Sequence, residues 1–320
     1  MLLNCLLIIV GVALVLWGAD RLTEGAVGVA RRMRVSEMVI GLTIVAAGTS
    51  APELFVSIVS ALKGTTNMAV GNVIGSNIFN SLLIVGCAAM VAPMTISRST
   101  VIKDIPFAVA ASLLMLVLCM DGWKRFSILG NSISRLDGLW LLLAFVAFMY
   151  YTFRVASESS PAPSEAPQKE PLPVWKGLLW VLVGLSCLVV GSNLFVGSAS
   201  AVASQLGVSD GVIGLTIVAG GTSLPELATS VVAARKGQSA IAIGNVIGSN
   251  VFNILLILGA TATICPVFII GITTVDVVTM LLSVTLIWLF SYTKYTIERW
   301  EGALLTLLFF AYMGWLFLSL

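Results

Sequence analysis

One segment of 46 residues occurs twice in this chain and constrains its fold more than any other feature. Gly41–Gly86 and Gly214–Gly259 align without a gap at an offset of 173 residues, and 31 of the 46 positions are identical. In both copies an apolar pattern is interrupted by Gly-Thr-Ser-x-Pro-Glu and again by Gly-Asn-Val-Ile-Gly-Ser-Asn. The fold must therefore contain the same pair of broken helices twice, which is typical of a binding site between repeats.

Composition places both copies in a membrane. The chain is 58% hydrophobic and 10% charged, with a mean hydropathy of +1.06, as expected for a polytopic membrane protein. The fold class predicted is therefore an all-α polytopic membrane protein of ten transmembrane helices. Bounded by charged and turn residues, the apolar runs lie at 2–30, 37–62, 68–92, 102–121, 136–154, 175–204, 209–233, 240–265, 274–292 and 300–320.

The ten predicted helices divide into two groups of five. Residues 1–155 form the first five-helix repeat, which contains the copy 41–86, and residues 177–320 form the second, which contains the copy 214–259. Between them, the stretch 156–176 holds five of the ten prolines and has the composition of a flexible linker.

The basic residues predict the orientation. With the termini outside, the cytoplasmic loops and the linker hold twelve basic residues and the outside loops hold four, which is the positive-inside pattern. Because each repeat has an odd number of spans, the second repeat enters the membrane inverted relative to the first, and the two Pro-Glu segments should face each other. The cytoplasmic set is Arg31, Arg32, Arg34, Arg98, Lys103, Arg154, Lys169, Lys176, Arg235, Lys236, Lys294 and Arg299, and the outside set is Lys63, Lys124, Arg125 and Arg135.

The repeated Pro-Glu segment brings a carboxylate into a hydrophobic helix. Proline lacks an N–H and crowds the carbonyl four residues back, here Gly48 or Gly221, so main-chain oxygens are freed. Irregular backbone at membrane depth is tolerated only where it lines protein or a watery cavity. Glutamate in such a place is a functional-site candidate, and we predict that Glu53 and Glu226 share one site.

The second interruption adds hydroxyl and amide oxygens. Ser76 and Asn80, like Ser249 and Asn253, are four residues apart and lie on one helix face. The combined set contains carboxylates, hydroxyls, amides and main-chain carbonyls, which select hard cations such as Ca²⁺ or Na⁺. Two carboxylates neutralise one Ca²⁺ or two Na⁺, so the composition suits exchange.

Several classes of function are excluded. The chain has no histidine, which removes zinc-protease and Ser-His or Cys-His chemistry, and we do not expect an enzyme or a bound cofactor. Its five cysteines follow no metal-binding or redox spacing. The net charge of +2 is too small to indicate a nucleic-acid partner, and no obligate protein partner is evident.

Structural explanations compete with the functional one. The Gly-x-x-x-Gly spacings in both copies are typical of close helix packing, which explains the glycines but not the Glu and Asn positions. A buried Glu can be purely structural; its recurrence at matching positions beside broken helices argues against this here. Asp20 and Arg21 in the first span are interpreted as a structural pair, with Asn193 at the position that matches Asp20.

The paired segments GTSxPE…GNVIGSNxFN resemble the two alpha-repeats of sodium/calcium exchangers, within the cation/calcium exchanger superfamily and of the prokaryotic type. The resemblance is close over both repeats and extends over the rest of the chain in span number and linker position. It implies ten helices in inverted repeats, alternating access by sliding of the first and sixth helices, and Ca²⁺ export driven by Na⁺ entry.

The resemblance also implies a set of ion ligands. Glu53 and Glu226 would be the central ligands of Ca²⁺ and Na⁺, and Asn80 and Asn253 would line the centre. Some relatives have Asp where this chain has Asn253, and that acid accompanies K⁺ use, so Asn253 implies K⁺ independence. Main-chain carbonyls would come from Ala46, Ala219, Thr49 and Thr222, and the Na⁺ sites would be completed by Ser50, Ser223, Ser76 and Ser249.

The function predicted is thus Na⁺/Ca²⁺ antiport in the inner or plasma membrane, with Ca²⁺, Na⁺ and the lipid bilayer as the expected partners. With only two carboxylates, binding of more than two Na⁺ would make exchange electrogenic. The alternative is Ca²⁺/H⁺ antiport on the same scaffold, in which the two glutamates exchange protons. A cation channel needs a continuous pore with a ring of equivalent groups, and a membrane scaffold would not need the duplicated acids.

Overall fold

The computed structural model describes residues 1–33, 35–64, 66–119, 132–158, 173–207, 219–269 and 272–319. The helices are α1 (Leu2–Met33), α2 (Glu37–Ile40), α3 (Ala46–Thr49), α4 (Ala51–Leu62), α5 (Thr66–Ile78), α6 (Val85–Val91), α7 (Ile105–Cys119), α8 (Arg135–Glu158), α9 (Val174–Gln205), α10 (Ala219–Thr222), α11 (Leu224–Arg235), α12 (Ser239–Val251), α13 (Gly259–Ile264), α14 (Thr274–Tyr292) and α15 (Arg299–Ser319). π-Helical turns join several of them: π1 (Gly41–Val45), π2 (Phe79–Ile84), π3 (Thr100–Asp104) and π4 (Phe252–Leu258).

Most of the predicted spans are present. In the described part of the chain eight helices are long and apolar enough to cross a membrane, and the segment from α2 to α4, bent by 45°, meets the same criteria as a whole. Residues 209–218, the first part of the predicted span 209–233, lie outside the described residues. The number of ten transmembrane helices therefore stays a prediction. Helix α8 continues to Glu158 and α9 begins at Val174, which narrows the predicted linker at both ends.

The two copies of the repeated segment occupy the centre of the bundle. The buried share of the most apolar 18 residues is 94% in the span Ser239–Ile264 and 72% in Met68–Val91. In the other straight spans it is only 22–39%. A helix that is apolar on every side and buried belongs to a core, whereas the peripheral helices keep apolar side chains on the outside. Those outer faces, with residues such as Trp140, Leu143, Leu182 and Phe310, suit contact with lipid.

Glycines let the two longest helices, α1 and α9, approach at backbone distance. A Cβ at Gly18 would lie 2.8 Å from Gly184 O, and one at Gly11 would lie 2.8 Å from Gly191 O. Small residues at such contacts allow van der Waals packing that lipid cannot match. The spacing of seven residues, Gly11, Gly18 and Gly25 against Gly177, Gly184 and Gly191, was visible in the sequence but was not part of our prediction.

Two short antiparallel ladders interrupt the all-α prediction. Strand β1 (Met94–Thr95) pairs with β4 (Thr296–Ile297), and β2 (Ser132–Ile133) pairs with β3 (Val267–Phe268). Each ladder joins the end of one central helix to the start of a helix in the other half. Segments of two residues are too short to leave an alternating apolar pattern in the sequence.

Candidate cation site

Each Pro-Glu segment forms the start of a helix that is broken from the one before it. Helix α4 follows α3 after a single non-helical residue, Ser50 (φ −83°, ψ 6°), and α11 follows α10 after Ser223 (φ −91°, ψ 8°). Proline is tolerated there because the first turn has no intrahelical acceptor for its missing N–H. The carboxylates Glu53 and Glu226 thus lie in the first turns of α4 and α11, where the helix dipole favours negative charge.

The two carboxylates are bonded crosswise by serines of the opposite copy. Ser50 Oγ donates to Glu226 Oε1 at 2.9 Å, and Ser223 Oγ donates to Glu53 Oε1 at 3.1 Å. The offset of 173 converts one contact into the other, so the copies are related as a two-fold pair at this point. Both glutamates are 1% exposed. The Pro-Glu segments therefore face each other, as the sequence predicted.

Among the residues that the structure describes, neither glutamate has a cationic side chain beside it. The ion pairs of the described residues all involve other carboxylates. Burying two unpaired carboxylates is costly unless a charge from outside the chain compensates them. A cation or protons must therefore enter this site when both groups are buried.

Five buried oxygen atoms of the predicted site accept no hydrogen bond from the part of the chain that the structure describes. They are Glu53 Oε2, Glu226 Oε2, Asn80 Oδ1, Asn253 Oδ1 and Ser249 Oγ. A buried polar atom without a partner costs about 1–3 kcal/mol, so these five oxygens are candidates for the ligands of a bound ion. All are oxygens, which is the donor set of a hard cation.

The remaining predicted residues lie around this set. Ser223 Oγ is 3.4 Å from Ser76 Oγ, so three of the four serines have a position next to a carboxylate or to another site serine. Thr49 lies beside Glu226, and Thr222 lies beside Glu53. The Thr49 hydroxyl donates to Asn245 Oδ1 at 3.0 Å, which connects the first break to the second copy.

The two alanines lie one helical turn before the breaks. The carbonyl of Ala46 accepts the Ser50 N–H at 3.0 Å and lies 3.4 Å from Thr49 Oγ1, so it is already engaged within its own helix. Ala219 is the first residue of α10. The structure thus brings Ala46 to the site, but it gives the Ala46 carbonyl other partners than an ion.

A second set of asparagines was missed by the sequence prediction. Asn245 Nδ2 donates to Ser230 Oγ at 3.0 Å and lies 3.4 Å from Glu226 O. Asn72 repeats the arrangement in the first copy, with Ser57 Oγ at 3.1 Å and Glu53 O at 3.4 Å. The signal was present, because Asn72 and Asn245 are identical in the repeated Gly-Asn-Val-Ile-Gly-Ser-Asn motif.

The helices carrying the amides change to π geometry within the site. Turn π2 starts at Phe79 and π4 at Phe252, each one residue before a site asparagine. In π2 the Val85 N–H bonds to Asn80 O, five residues back. Such turns concentrate at functional sites, and they were not predicted because the apolar pattern is the same for both helix types.

The donor set of the candidate site fits Na⁺ or Ca²⁺ better than a transition metal. Among the described residues no group of three or more His, Cys, Asp or Glu side chains could hold a metal ion. Strong transition-metal sites use such groups, whereas two carboxylates with neutral oxygens suit Na⁺ and Ca²⁺.

The comparison with known proteins agrees with this chemistry. The family model described as sodium/calcium exchanger protein matches residues 3–154 and 176–318. The putative antiporter CaxA of Alkalimonas amylolytica is 41% identical over 271 residues, which is 83% of this chain and 82% of the relative. The sodium/calcium exchanger MaX1 of Methanosarcina acetivorans is 31% identical and covers 98% of both chains.

Solved structures lead to the same family. The sodium-calcium exchanger NCX_Mj superimposes with a TM-score of 0.84 at 30% identity, over 98% of this chain and 99% of that one. The chain therefore belongs to the sodium/calcium exchanger family, a family of membrane transporters and not of enzymes. It is a multi-pass membrane protein and a cation/Ca²⁺ antiporter.

Proposed function

We propose that the protein exchanges Na⁺ for Ca²⁺ across the cell membrane by alternating access, that it does so without K⁺, and that it exports Ca²⁺. The observation that carries this proposal is a set of five buried oxygens that have no donor among the described residues. Two of them belong to Glu53 and Glu226, which have no cationic side chain beside them in that part of the chain, and three are amide or hydroxyl oxygens. A proton needs only the carboxylates. Hydroxyl and amide oxygens beside them provide what Na⁺ or Ca²⁺ requires in addition.

The geometry supports the proposed side-chain ligands of the transported ions, whereas the proposed main-chain ligands rest on the resemblance of the repeats. Glu53 and Glu226 are central, because each has one oxygen on a serine and the other without a donor. Asn80 and Asn253 offer neutral oxygens, which favours K⁺-independent exchange and limits the site to two negative charges. A load of more than two Na⁺ is then net positive, so exchange is electrogenic. The further ligands are Ser50, Ser223, Ser76 and Ser249, with main-chain carbonyls of Thr49, Thr222, Ala46 and Ala219.

The proposed topology has ten spans in two inverted five-helix repeats, 1–155 and 177–320, with both termini outside and the linker 156–176 in the cytoplasm. The crosswise contacts between the copies support a two-fold relation, and the distribution of basic residues supports the orientation. Inverted repeats allow each half to adopt the conformation of the other, which opens the site to alternate sides.

Gradient-driven uptake separates this proposal from Ca²⁺/H⁺ antiport. Purified protein in liposomes loaded with Na⁺ and diluted into Na⁺-free, K⁺-free medium should accumulate Ca²⁺. Liposomes with equal Na⁺ on both sides serve as the control and should show only leak. Ca²⁺ uptake that requires a pH gradient and ignores the Na⁺ gradient would overturn the sodium assignment in favour of proton exchange.

A further inference from the structure

Four asparagines from the two copies form a crossed set of hydrogen-bonded amides. Asn80 Nδ2 donates to Asn250 Oδ1 at 3.1 Å. Asn253 Nδ2 donates to Asn77 Oδ1 at 2.9 Å. The offset of 173 converts one bond into the other, and all four side chains are at most 2% exposed. The pattern is therefore a built feature of the interface between the copies.

The crossed bonds fix which end of each site amide faces inward. Because a neighbouring asparagine accepts a hydrogen bond from the NH₂ of Asn80 and of Asn253, the carbonyl oxygen of each of these two amides must point the other way. Both carbonyl oxygens are buried, and neither has a donor among the described residues. The neighbours are themselves anchored: Asn77 Nδ2 donates to Asn250 O at 3.2 Å, and Asn250 Nδ2 donates to Ser81 Oγ at 2.8 Å. Neither can turn without losing a buried hydrogen bond.

We propose that Asn77 and Asn250 are positioning residues, which hold the amide oxygens of Asn253 and Asn80 toward the transported cation. This inference rests on the proposed function, because it assumes a cation among those oxygens. An amide that turned would present its NH₂, with partial positive charge, to the ion. Outer groups that orient a ligand typically change metal affinity by about 10–100-fold when they are removed.

Calorimetric titration of Asn250→Ala with Ca²⁺ and, separately, with Na⁺ tests the role. We expect the Ca²⁺ dissociation constant to rise by about 10-fold or more. Because ion–dipole energy scales with ionic charge, the Na⁺ constant should rise by only about the square root of that factor. Ser291→Ala is the control and should bind as the wild type does, because this buried helix serine donates to Ile287 O and has no other side-chain bond among the described residues.

Equal losses for Ca²⁺ and Na⁺, or unchanged Ca²⁺ binding, would contradict the positioning role. If Asn250→Ala does not fold, the matching Asn77→Ala, which acts on Asn253, gives the same test. A wild-type protein that binds no Ca²⁺ would instead contradict the proposed function. The two failures are therefore distinguishable.

A different observation, an ion pair between α1 and α11, supports a second inference. Asp20 Oδ1 lies 2.5 Å from Lys236 Nζ, which also donates to Asp20 O at 3.2 Å. Arg21 pairs with Asp20 at 3.0 Å and lies 5.1 Å from the ring centre of Trp180 in α9. The contact therefore connects both long helices to the end of the helix that begins beside Glu226.

The other copy has no equivalent contact. The offset of 173 relates Asp20 to Asn193 and Lys236 to Lys63, so one partner is neutral. Both are exposed, and neither has a polar partner in the described ranges. Helix α1 packs along α11, whereas within those ranges α9 has no comparable contact with α4. The α1–α9 pair thus lies closer to α11 than to α4.

Exchange of the two repeat conformations would reverse this arrangement. Helix α9 would then approach α4, α1 would leave α11, and the pair Asp20–Lys236 would break. Asn193 and Lys63 offer no ion pair in return. We propose that Asp20 and Lys236 form a latch that favours the conformation closed at the Lys236 end, which the basic residues assign to the cytoplasm. This inference rests on the proposed function in one respect only, namely that alternating access requires a second conformation.

Hydrogen–deuterium exchange of Asp20→Asn tests the latch without a transport assay. The variant should exchange faster at the end of α11 and, at the opposite end, more slowly along residues 54–64, which comprise most of α4 and the turn after it. A partly exposed pair should shift the ratio of conformations by about two- to fivefold. Glu24→Gln, which removes a charge that contacts Arg21 at 2.7 Å but not α11, should leave residues 54–64 unchanged.

Faster exchange at the α11 end alone would make the pair a local structural contact and would overturn the latch. Asn193→Asp provides an independent variant, because it gives Lys63 the acidic partner that it lacks. That substitution should slow exchange in residues 54–64 and accelerate it at the end of α11. No change at the α11 end would likewise overturn the inference.

Discussion

Glu53→Gln and Glu226→Gln are each expected to reduce Na⁺-driven Ca²⁺ uptake by at least about 100-fold, since loss of one partner in a buried charge interaction costs about 3–5 kcal/mol. Each carboxylate is 1% exposed and has one oxygen without a donor. The amide keeps the shape but supplies neither the charge nor two acceptor atoms. Both variants should fail equally, because each copy contributes one carboxylate to the same site.

Two controls show whether a loss of uptake comes from the missing charge at this site. One is the unfolding temperature of the same variants, and the other is a buried glutamate elsewhere in the protein. In ion-free detergent the Gln variants should unfold at or above the wild-type temperature, because an unpaired buried charge has been removed. Glu301→Gln is the matched control: Glu301 is 3% exposed, but its oxygens accept from Glu298 N and Thr293 Oγ1. Wild-type uptake in Glu53→Gln, or loss of uptake in Glu301→Gln, would contradict the account.

Gly184→Val is expected to destabilise the α1–α9 pair by about 1–3 kcal/mol or more, as overpacked cores do. A Cβ at Gly184 would lie 2.6 Å from Leu22 N and 2.7 Å from Gly18 O. Both are backbone atoms, so the helices must separate along the whole glycine contact. Thermal unfolding of the purified protein, monitored as the loss of its monodisperse fraction, measures the effect.

The same helix supplies the control for this substitution. A Cβ at Gly197 meets no described atom within 4 Å, so Gly197→Val makes the same change in helix propensity without a steric conflict. It should unfold within a few degrees of the wild type. Equal unfolding temperatures for Gly184→Val and Gly197→Val would show that the backbone contact does not determine stability.

The repeated segment made the centre of the molecule predictable. Its internal offset identified Glu53 and Glu226 as partners, and their apolar surroundings predicted that both are buried. The crosswise bonds from Ser50 and Ser223 could not be predicted, because they depend on how the two copies pack. The same holds for Asn77 and Asn250, whose identity between copies was visible but whose contacts lie across the interface.

Elsewhere the sequence contained signals too weak or too local to use. The seven-residue spacing of Gly11, Gly18 and Gly25 could be interpreted as a helix contact only once α9 was known to pack against α1. Asp20 and Arg21 were interpreted as a structural pair, and the salt bridge confirms that pairing. Lys236, 216 residues away, completes the cluster, and no local pattern in the sequence connects residues at that distance.

The number of Ca²⁺ ions bound per chain tests most directly whether the two copies form one site. Calorimetric titration of the wild-type protein in Na⁺-free buffer should give one Ca²⁺ per chain, and both Glu53→Gln and Glu226→Gln should bind none at the same concentrations. Retention of one bound Ca²⁺ by either single variant would show that the remaining carboxylate holds an ion alone, and would contradict a shared site.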